Sequence, residues 1–135
     1  MKFLLVSRID NRDALAFCEK IHALLTAERC EVLFDRDTAA SLGRKGVPVG
    51  GAMVDAVIVV GGDGTILRTI QQMDRPLPLL GVNWGEVGFL ADLEPDEALA
   101  FIRTLPGGFG VEERMRISLK KEGKILGTAL NEALI

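Results

Sequence analysis

Gly61-Gly62-Asp63-Gly64-Thr65 is the point at which the sequence changes from a strand pattern to a helix pattern. The run 56–60 before it is unbroken, apolar and rich in β-branched residues, which is typical of a strand buried on both faces of a parallel sheet. After it, apolar residues at 66, 67, 70 and 73 recur at helical spacing, with Asp63 or Thr65 available as the N-cap. A strand, a glycine turn and a helix in this order predict a ligand-binding edge of an open α/β sheet.

Three glycines in four positions require either positive φ angles or a ligand that presses on the main chain. The predicted helix N-terminus favours a ligand, because its free N–H groups and positive dipole attract phosphate. A carboxylate at Asp63 would repel that phosphate unless it has a role of its own. It could accept a proton from an attacking hydroxyl, bind a ribose hydroxyl or hold a metal ion. The alternative is a plain helix cap in a glycine turn.

The length and composition fit one α/β domain, since 135 residues are too few for two full domains. A chain with 48% apolar and 26% charged residues is typical of a soluble globular protein. The net charge of -3 and the lack of a basic stripe argue against a nucleic-acid partner. The apolar runs are strand-sized, so we predict no membrane span or signal peptide and expect a cytoplasmic protein.

The residues that often bind metals or act as nucleophiles are few and scattered. Cys18 and Cys30 lack a metal-ligand spacing, and each lies in an apolar pattern that predicts a buried, reduced thiol. His22 is the only histidine and is predicted to lie in solvent on a helix. We therefore predict no metal cage and no Ser/His/Asp set.

A β-α-β unit opens the chain. Residues 3–6 and 31–34 read as strands, joined by a helix that begins at Asp10 or Asn11. This order predicts a parallel crossover. The apolar face of the helix comprises Ala14, Leu15, Phe17, Cys18, Ile21, Leu24 and Leu25.

Residues 35–51 lose this periodicity and are predicted to form a loop. The loop carries the basic pair Arg44-Lys45. The pair could meet nucleotide phosphates, but we expect it to be solvated.

A second glycine-rich loop is predicted after a fourth strand. Pro76 ends the helix that follows the glycine turn, and residues 79–82 read as a short buried strand. The stretch 83–90, which contains Asn83 and Phe89, then reads as a second ligand-facing loop, here called the second glycine loop. Both loops follow strands of a parallel sheet, so they share one edge. Simple packing against the first loop is the alternative.

The end of the chain changes to an antiparallel pattern. A helix starts at Pro95, and residues 114–120 and 124–130 then alternate as the strands of a hairpin. A hairpin with one apolar face is marginally stable alone, so we expect a piece of a longer protein. The fold class expected is α/β, an open and mainly parallel Rossmann-like sheet flanked by helices. We expect a nucleotide-binding domain at 1–110 and a truncated β-rich second domain from 111 to 135.

These motifs together resemble the N-terminal domain of an NAD kinase. The stretch 61–65 matches a signature that NAD kinases share with diacylglycerol kinases, sphingosine kinases and phosphofructokinases. Residues 81–90 are more specific and resemble the second glycine loop of the NAD kinase family. Glu113-Arg114-Met115 and Asn131-Glu132 are similar to two shorter motifs of the family. The resemblance covers essentially the whole chain.

The resemblance implies transfer of the γ-phosphoryl group of ATP, or of polyphosphate, to the 2′-hydroxyl of the adenosine ribose of NAD, which makes NADP. It implies that Asp63 is the base on that hydroxyl and that Arg68 meets phosphate charge. It further implies nucleotide contacts from Gly62, Gly64, Thr65, Asn83, Phe89, Asn131 and Glu132. A divalent cation such as Mg²⁺ would arrive with the nucleotide rather than in a protein cage, and the full-length protein would be a homo-oligomer.

Two other functions remain open from the sequence. A lipid kinase of the diacylglycerol or sphingosine type would share the stretch 61–65, although the second glycine loop argues against it. A non-catalytic nucleotide-binding module would use Asp63 only to bind ribose. A standard Rossmann dehydrogenase is not expected, because no Gly-x-Gly-x-x-Gly motif follows the first strand.

Overall fold

Among the described residues, the main sheet has four strands, all parallel. The computed structural model describes residues 1–85, 90–111, 117–121 and 124–129, and the last two ranges are described by their backbone alone. The strands are β1 (Lys2–Ser7), β2 (Glu31–Phe34), β3 (Ala56–Gly61) and β4 (Leu79–Asn83). Their order in the sheet is β2-β1-β3-β4. The predicted parallel α/β sheet is therefore confirmed.

In the part of the chain that the structure describes, four helices connect and flank these strands. They are α1 (Arg12–Ala27), α2 (Arg36–Leu42), α3 (Asp63–Gln72) and α4 (Pro95–Thr104), and a short 3₁₀ helix, Leu105–Gly107, follows α4. Asn11 caps α1, since its side chain accepts hydrogen bonds from the backbone N–H groups of Asp13 and Ala14. Pro95 is the first residue of α4, as predicted, and Glu94 and Glu97 form a capping box.

The sheet separates two hydrophobic clusters, so the described part of the chain has three layers. Successive strand residues point to opposite faces, and β1 shows the division clearly: Phe3 and Leu5 lie in one cluster, Leu4 and Val6 in the other. The first cluster includes buried residues of α1 and α4, and the second includes Ile66 of α3. All six residues of β3 are buried, as its apolar run predicts.

The prediction of a loop over residues 35–51 was wrong, because α2 lies within that range. Asp35 caps this helix through a 3.2 Å hydrogen bond from Thr38 N to its Oδ1. Gly43 ends it in the left-handed region with φ of 67°. A seven-residue helix is too short to show a repeating apolar pattern, and it buries only Thr38 and Ala39. The sequence contains both capping residues of α2, Asp35 and Gly43, but the residues between them show no helical periodicity.

Both residues of the basic pair in this region are exposed, as predicted, and Arg44 already has partners within the protein. Arg44 forms a bidentate ion pair with Glu19 at 2.7 and 3.0 Å, and its guanidinium lies 5.3 Å from the ring centroid of Phe34. His22 also stacks on Phe34 at 5.2 Å and is half-buried. The prediction of a fully solvated His22 was therefore only partly right.

The predicted N-cap of α3 was also wrong. Gly62 occupies the cap position and makes no side-chain cap bond, while Asp63 is the first residue of the helix. The carboxylate of Asp63 instead bonds to a different segment of the chain, as described below. The helix ends at Gln72, before Pro76, as expected.

The remaining predictions are confirmed in part. Cys18 and Cys30 are buried free cysteines, and burial raises the pKa of Cys18 to about 12. The predicted hairpin is present as the antiparallel strands β5 (Ile117–Lys121) and β6 (Lys124–Ala129). The division into two domains at residue 110 stays a prediction. No helix in the described ranges is long and apolar enough to cross a lipid bilayer.

Candidate active site

The carboxyl ends of the four parallel strands form one edge of the sheet. The chain runs from β1 to β2 on one side and places β3 on the other side of β1. The connections after β1 and β3 therefore diverge, and open α/β sheets bind ligands at such a switch point. The glycine turn after β3 lies at this place, and Gly61 pairs with Asn83 at the end of β4. The glycine turn and the described start of the second glycine loop therefore share one edge, as predicted.

The three glycines of the turn differ in whether the structure requires glycine at their positions. None of Gly61, Gly62 and Gly64 has a positive φ, so conformation does not require them. A Cβ at Gly61 would lie 2.7 Å from Thr65 Oγ1, so glycine is needed there for packing. A Cβ at Gly62 or Gly64 would meet no atom of the described residues within 4 Å. Neither backbone strain nor packing among the described residues requires glycine at these two positions, and both leave room for a ligand to approach the main chain.

Free N–H groups lie at the start of α3. The first intrahelical bond runs from Ile66 N to Gly62 O at 3.1 Å, so the N–H groups of Gly64 and Thr65 precede the helical ladder. Gly64 is exposed, whereas Thr65 is only 8% exposed. The side chain of Thr65 lies beneath Gly61, so a contact between Thr65 and a phosphate would use its backbone N–H.

Asp63 ties the glycine turn to the second glycine loop. Its Oδ1 accepts a hydrogen bond of 3.0 Å from Leu90 N, 27 residues along the chain. The bond fixes the orientation of a carboxylate that is only half-buried. Sequence analysis did not predict this contact. No local pattern points to it, because it depends on how β3 and β4 pair.

The described start of the second glycine loop lies close to β3. Trp84 N donates to Gly61 O at 3.1 Å, and the Trp84 ring packs against Phe17 at 5.1 Å. Asn83 Nδ2 donates to Glu94 Oε1 at 3.1 Å. Asn83 Oδ1 is buried and accepts no hydrogen bond from any residue that the structure describes. The predicted site residues Phe89, Asn131 and Glu132 lie outside the described residues.

Arg8 is a residue of this edge that sequence analysis missed. It follows β1 directly and donates from Nη1 to Trp84 O at 2.8 Å. It also forms a bidentate ion pair with Asp10 at 2.7 and 2.9 Å, which holds the pKa of the Asp10 carboxyl below its usual range. Its position just after a predicted strand was the available signal, since such positions lie at the ligand-binding edge.

Arg68 lies beside a small polar cavity of about 110 Å³ at the same edge. The cavity is also lined by Ser7, Asp35 and Asp37. Arg68 is exposed, and its side chain makes no ion pair or hydrogen bond with the described residues. Burial raises the pKa of Asp35, which is only 7% exposed. Arg68 is thus an available cation one turn beyond Gly64.

A larger cleft lies elsewhere and does not include the glycine turn. It has a volume of about 780 Å³ and runs along the outer edge of β4, between α3 and α4. Its lining is almost entirely apolar, and Asp92 is the one charged residue among its described walls. Such a surface does not suit a phosphate. In the described ranges, no group of three or more His, Cys, Asp or Glu side chains could hold a metal ion.

Residues 3–107 match the family model of the ATP-NAD kinase N-terminal domain. The chain belongs to the NAD kinase family. Archaeal relatives named NAD kinase align over its whole length: 53% identity for the protein of Methanoregula boonei, 50% for that of Methanoculleus marisnigri and 34% for that of Thermococcus kodakarensis. The chain spans about half the length of these NAD kinases.

Solved structures of NAD kinases have the same fold. The NAD kinase of Archaeoglobus fulgidus in complex with ATP is 25% identical, with a TM-score of 0.54 over 77% of this chain and 36% of that one. Yeast NADH kinase complexed with NADH is 17% identical, with a TM-score of 0.75 over 96% of this chain and 45% of that one. The yeast protein supports the fold alone, because its sequence identity is low.

Proposed function

We propose that the full-length protein is an NAD kinase, which transfers the γ-phosphoryl group of ATP to the 2′-hydroxyl of the adenosine ribose of NAD. One observation carries the proposal: Gly62 and Gly64 are glycines that neither φ nor packing requires. They flank a carboxylate at the switch point of the sheet. Family membership and the ATP complex of the Archaeoglobus fulgidus relative support the same function.

Asp63 is proposed as the general base of this reaction. A hydroxyl that attacks phosphorus must lose its proton, and a carboxylate within hydrogen-bond reach accepts it. The bond from Leu90 N holds the Asp63 carboxylate in one orientation. Preorganised groups of this kind supply most of the rate enhancement in phosphoryl transfer, which needs little covalent help from the protein.

The phosphates are proposed to bind at the start of α3. The N–H groups of Gly64 and Thr65 lack intrahelical acceptors there, and the helix dipole favours an anion. Arg68 would add a positive charge on the same helix. A Mg²⁺ ion bound to the nucleotide would neutralise further phosphate charge. We expect its ligands to be phosphate oxygens and water rather than a protein cage.

The proposed contacts with the adenosine end of NAD are taken from the family resemblance. We propose that Asn131 and Glu132 hydrogen-bond the adenosine end of NAD and that Asn83 and Phe89 line the pocket. Asn83 already offers an acceptor, its buried Oδ1, that lacks a donor within the described residues. A cytoplasmic location, polyphosphate as an alternative donor and a homo-oligomeric full-length protein are further parts of the proposal.

The test is NADP formation by the purified full-length protein from NAD, ATP and Mg²⁺. Diacylglycerol and sphingosine replace NAD in parallel reactions as alternative acceptors. We expect phosphorylation of NAD alone. Transfer to a lipid would instead favour the lipid kinase. Nucleotide binding without transfer to any acceptor would favour the non-catalytic module, in which Asp63 only binds ribose.

A further inference from the structure

We propose that Arg8 is a positioning residue, which holds the start of the second glycine loop across the end of β3 and next to Asp63. The inference rests on the proposed function, since it assigns Arg8 a part in the same site. Arg8 does not need to touch the substrate for this role. It acts through the backbone at Trp84 and Gly85.

The guanidinium of Arg8 makes three hydrogen bonds in two directions. Nε and Nη2 donate to the two carboxylate oxygens of Asp10 at 2.7 and 2.9 Å, a fork that fixes the plane of the guanidinium. Nη1 then donates to Trp84 O at 2.8 Å, 76 residues away in the sequence. Because β3 lies between β1 and β4 in the sheet, this bond crosses the carboxyl end of β3. The glycine turn leaves β3 at the same end.

The backbone at Trp84 is held from both sides. Trp84 N donates to Gly61 O at 3.1 Å, while Trp84 O accepts from Arg8. Gly85 has φ of 143°, and a Cβ there would lie 2.6 Å from Arg8 Nη1. A glycine at this position therefore lets the guanidinium lie directly against the backbone. The position of the Arg8 guanidinium thus depends on the missing side chain at Gly85.

The link to Asp63 runs through the backbone of Trp84. Trp84 N donates to Gly61 O, two residues before Asp63 in the glycine turn. Loss of the bond between Arg8 and Trp84 O would loosen this contact and, with it, the position of the Asp63 carboxylate. We expect kcat to fall more than KM rises, because orientation of the reacting group is what is lost.

A purely stabilising role predicts something different. The Arg8 and Asp10 side chains are 30% and 70% exposed, and exposed ion pairs contribute little to folding. Removal of Arg8 also removes its part-buried bond to Trp84 O, so we expect the melting temperature to fall by only a few degrees. A large loss of kcat in a variant that is still fully folded at the assay temperature distinguishes positioning from stabilisation.

Trp84 itself reports on the bond, because the chain contains one tryptophan and no tyrosine. The experiment compares wild type, Arg8→Ala, Arg8→Lys and the control Arg12→Ala in the full-length protein. Arg12 is exposed and makes no ion pair or side-chain hydrogen bond within the described part of the chain. Where the full-length protein has further tryptophans, these are first replaced by phenylalanine.

We expect Arg8→Ala to shift the Trp84 emission to longer wavelength, to increase acrylamide quenching and to lower kcat about 10- to 100-fold. Arg8→Lys should restore part of kcat, because an ammonium can donate to Trp84 O but cannot form the fork with Asp10. Gly85→Ala should change the emission in the same direction, since its Cβ would displace the guanidinium. Arg12→Ala should match wild type in every readout.

Two negative results are separable. If wild type forms no NADP while Arg8→Ala still changes the Trp84 emission, the proposed function fails and the bond between the two loops stands. If wild type is active, and Arg8→Ala and Gly85→Ala leave both kcat and the Trp84 emission unchanged, the positioning role of Arg8 is overturned. A lowered kcat with an unchanged Trp84 emission overturns it too.

Discussion

Arg68 is the residue whose proposed role depends most directly on its charge. It is exposed in the middle of α3, one turn beyond Gly64, and it lies beside Asp35 and Asp37 without an ion pair to either. We expect Arg68→Ala to weaken nucleotide binding or turnover by about 1–3 kcal/mol, the usual cost of one lost charge-assisted contact. Steady-state kinetics with ATP and NAD measure this loss.

The control for Arg68 is Arg103→Ala. Arg103 is likewise exposed near the end of its helix, α4, and makes no ion pair within the described residues. Its removal should leave both KM values unchanged. Equal behaviour of the two variants would show that Arg68 points to solvent and does not meet a phosphate.

Asp35 is expected to make the stability of the folded protein depend on pH. Burial raises its pKa above the ordinary value of 3.8, so protonation favours the folded state. The stability that this proton supplies is fully present below the unfolded pKa and is lost as the pH rises through the folded pKa. Asp35→Asn keeps a good N-cap for α2 but does not titrate. The stability of Asp35→Asn relative to wild type should therefore increase as the pH rises from about 3.8.

Urea unfolding of both proteins across this pH range measures the difference. The Asp13→Asn variant serves as a control, because Asp13 is an exposed carboxylate in the first turn of α1. A stability difference between Asp35→Asn and wild type that does not change with pH would contradict the assigned cause.

The strand and helix around the glycine turn are the elements that the sequence predicts best. A β-branched run fixes β3, and apolar residues at helical spacing fix α3, because both patterns are local. Helix α2 escaped prediction because seven residues carry too few apolar positions to show a period. The contacts of Asp63 with Leu90 and of Arg8 with Trp84 escaped it for another reason. They join residues 27 and 76 positions apart, and only the pairing of the strands brings these together.

The glycine turn offers a matched pair of substitutions at the junction of these two elements. Gly61→Ala should destabilise the fold by about 1–3 kcal/mol, because its Cβ would overlap the side chain of Thr65. Gly64→Ala should leave stability equal or slightly higher, since its Cβ meets no described residue within 4 Å and alanine favours a helix. Thermal unfolding measures both effects.

The variants Gly61→Ala and Gly64→Ala also distinguish a glycine needed for packing from a glycine that contacts a ligand. If a nucleotide lies against Gly64, the alanine variant should be fully folded yet bind ATP or NAD much more weakly than wild type. Titration calorimetry on the folded variants gives this comparison. Unchanged affinity in Gly64→Ala would remove the main reason for a ligand at the turn.

The strand order of the sheet, rather than any single motif, determines where the candidate site lies. The order β2-β1-β3-β4 opens a crevice between β1 and β3, and Arg8, Asp63 and Arg68 come from the elements that follow these two strands. The archaeal relatives are about twice as long as this chain. We therefore expect the 135-residue chain to fold as an α/β unit and to turn over NAD far more slowly than the full-length protein.

The most direct measurement is the kinetics of Asp63→Asn in the full-length protein. An amide is nearly the same size as the carboxylate, and its oxygen can still accept from Leu90 N, so the fold and NAD binding should be kept. We predict unchanged thermal unfolding, a Kd for NAD close to that of wild type and a loss of NADP formation of about 10²-fold or more, because the proton acceptor is gone. Near-normal turnover in this variant would contradict the account and reduce Asp63 to a residue that ties the two glycine loops together.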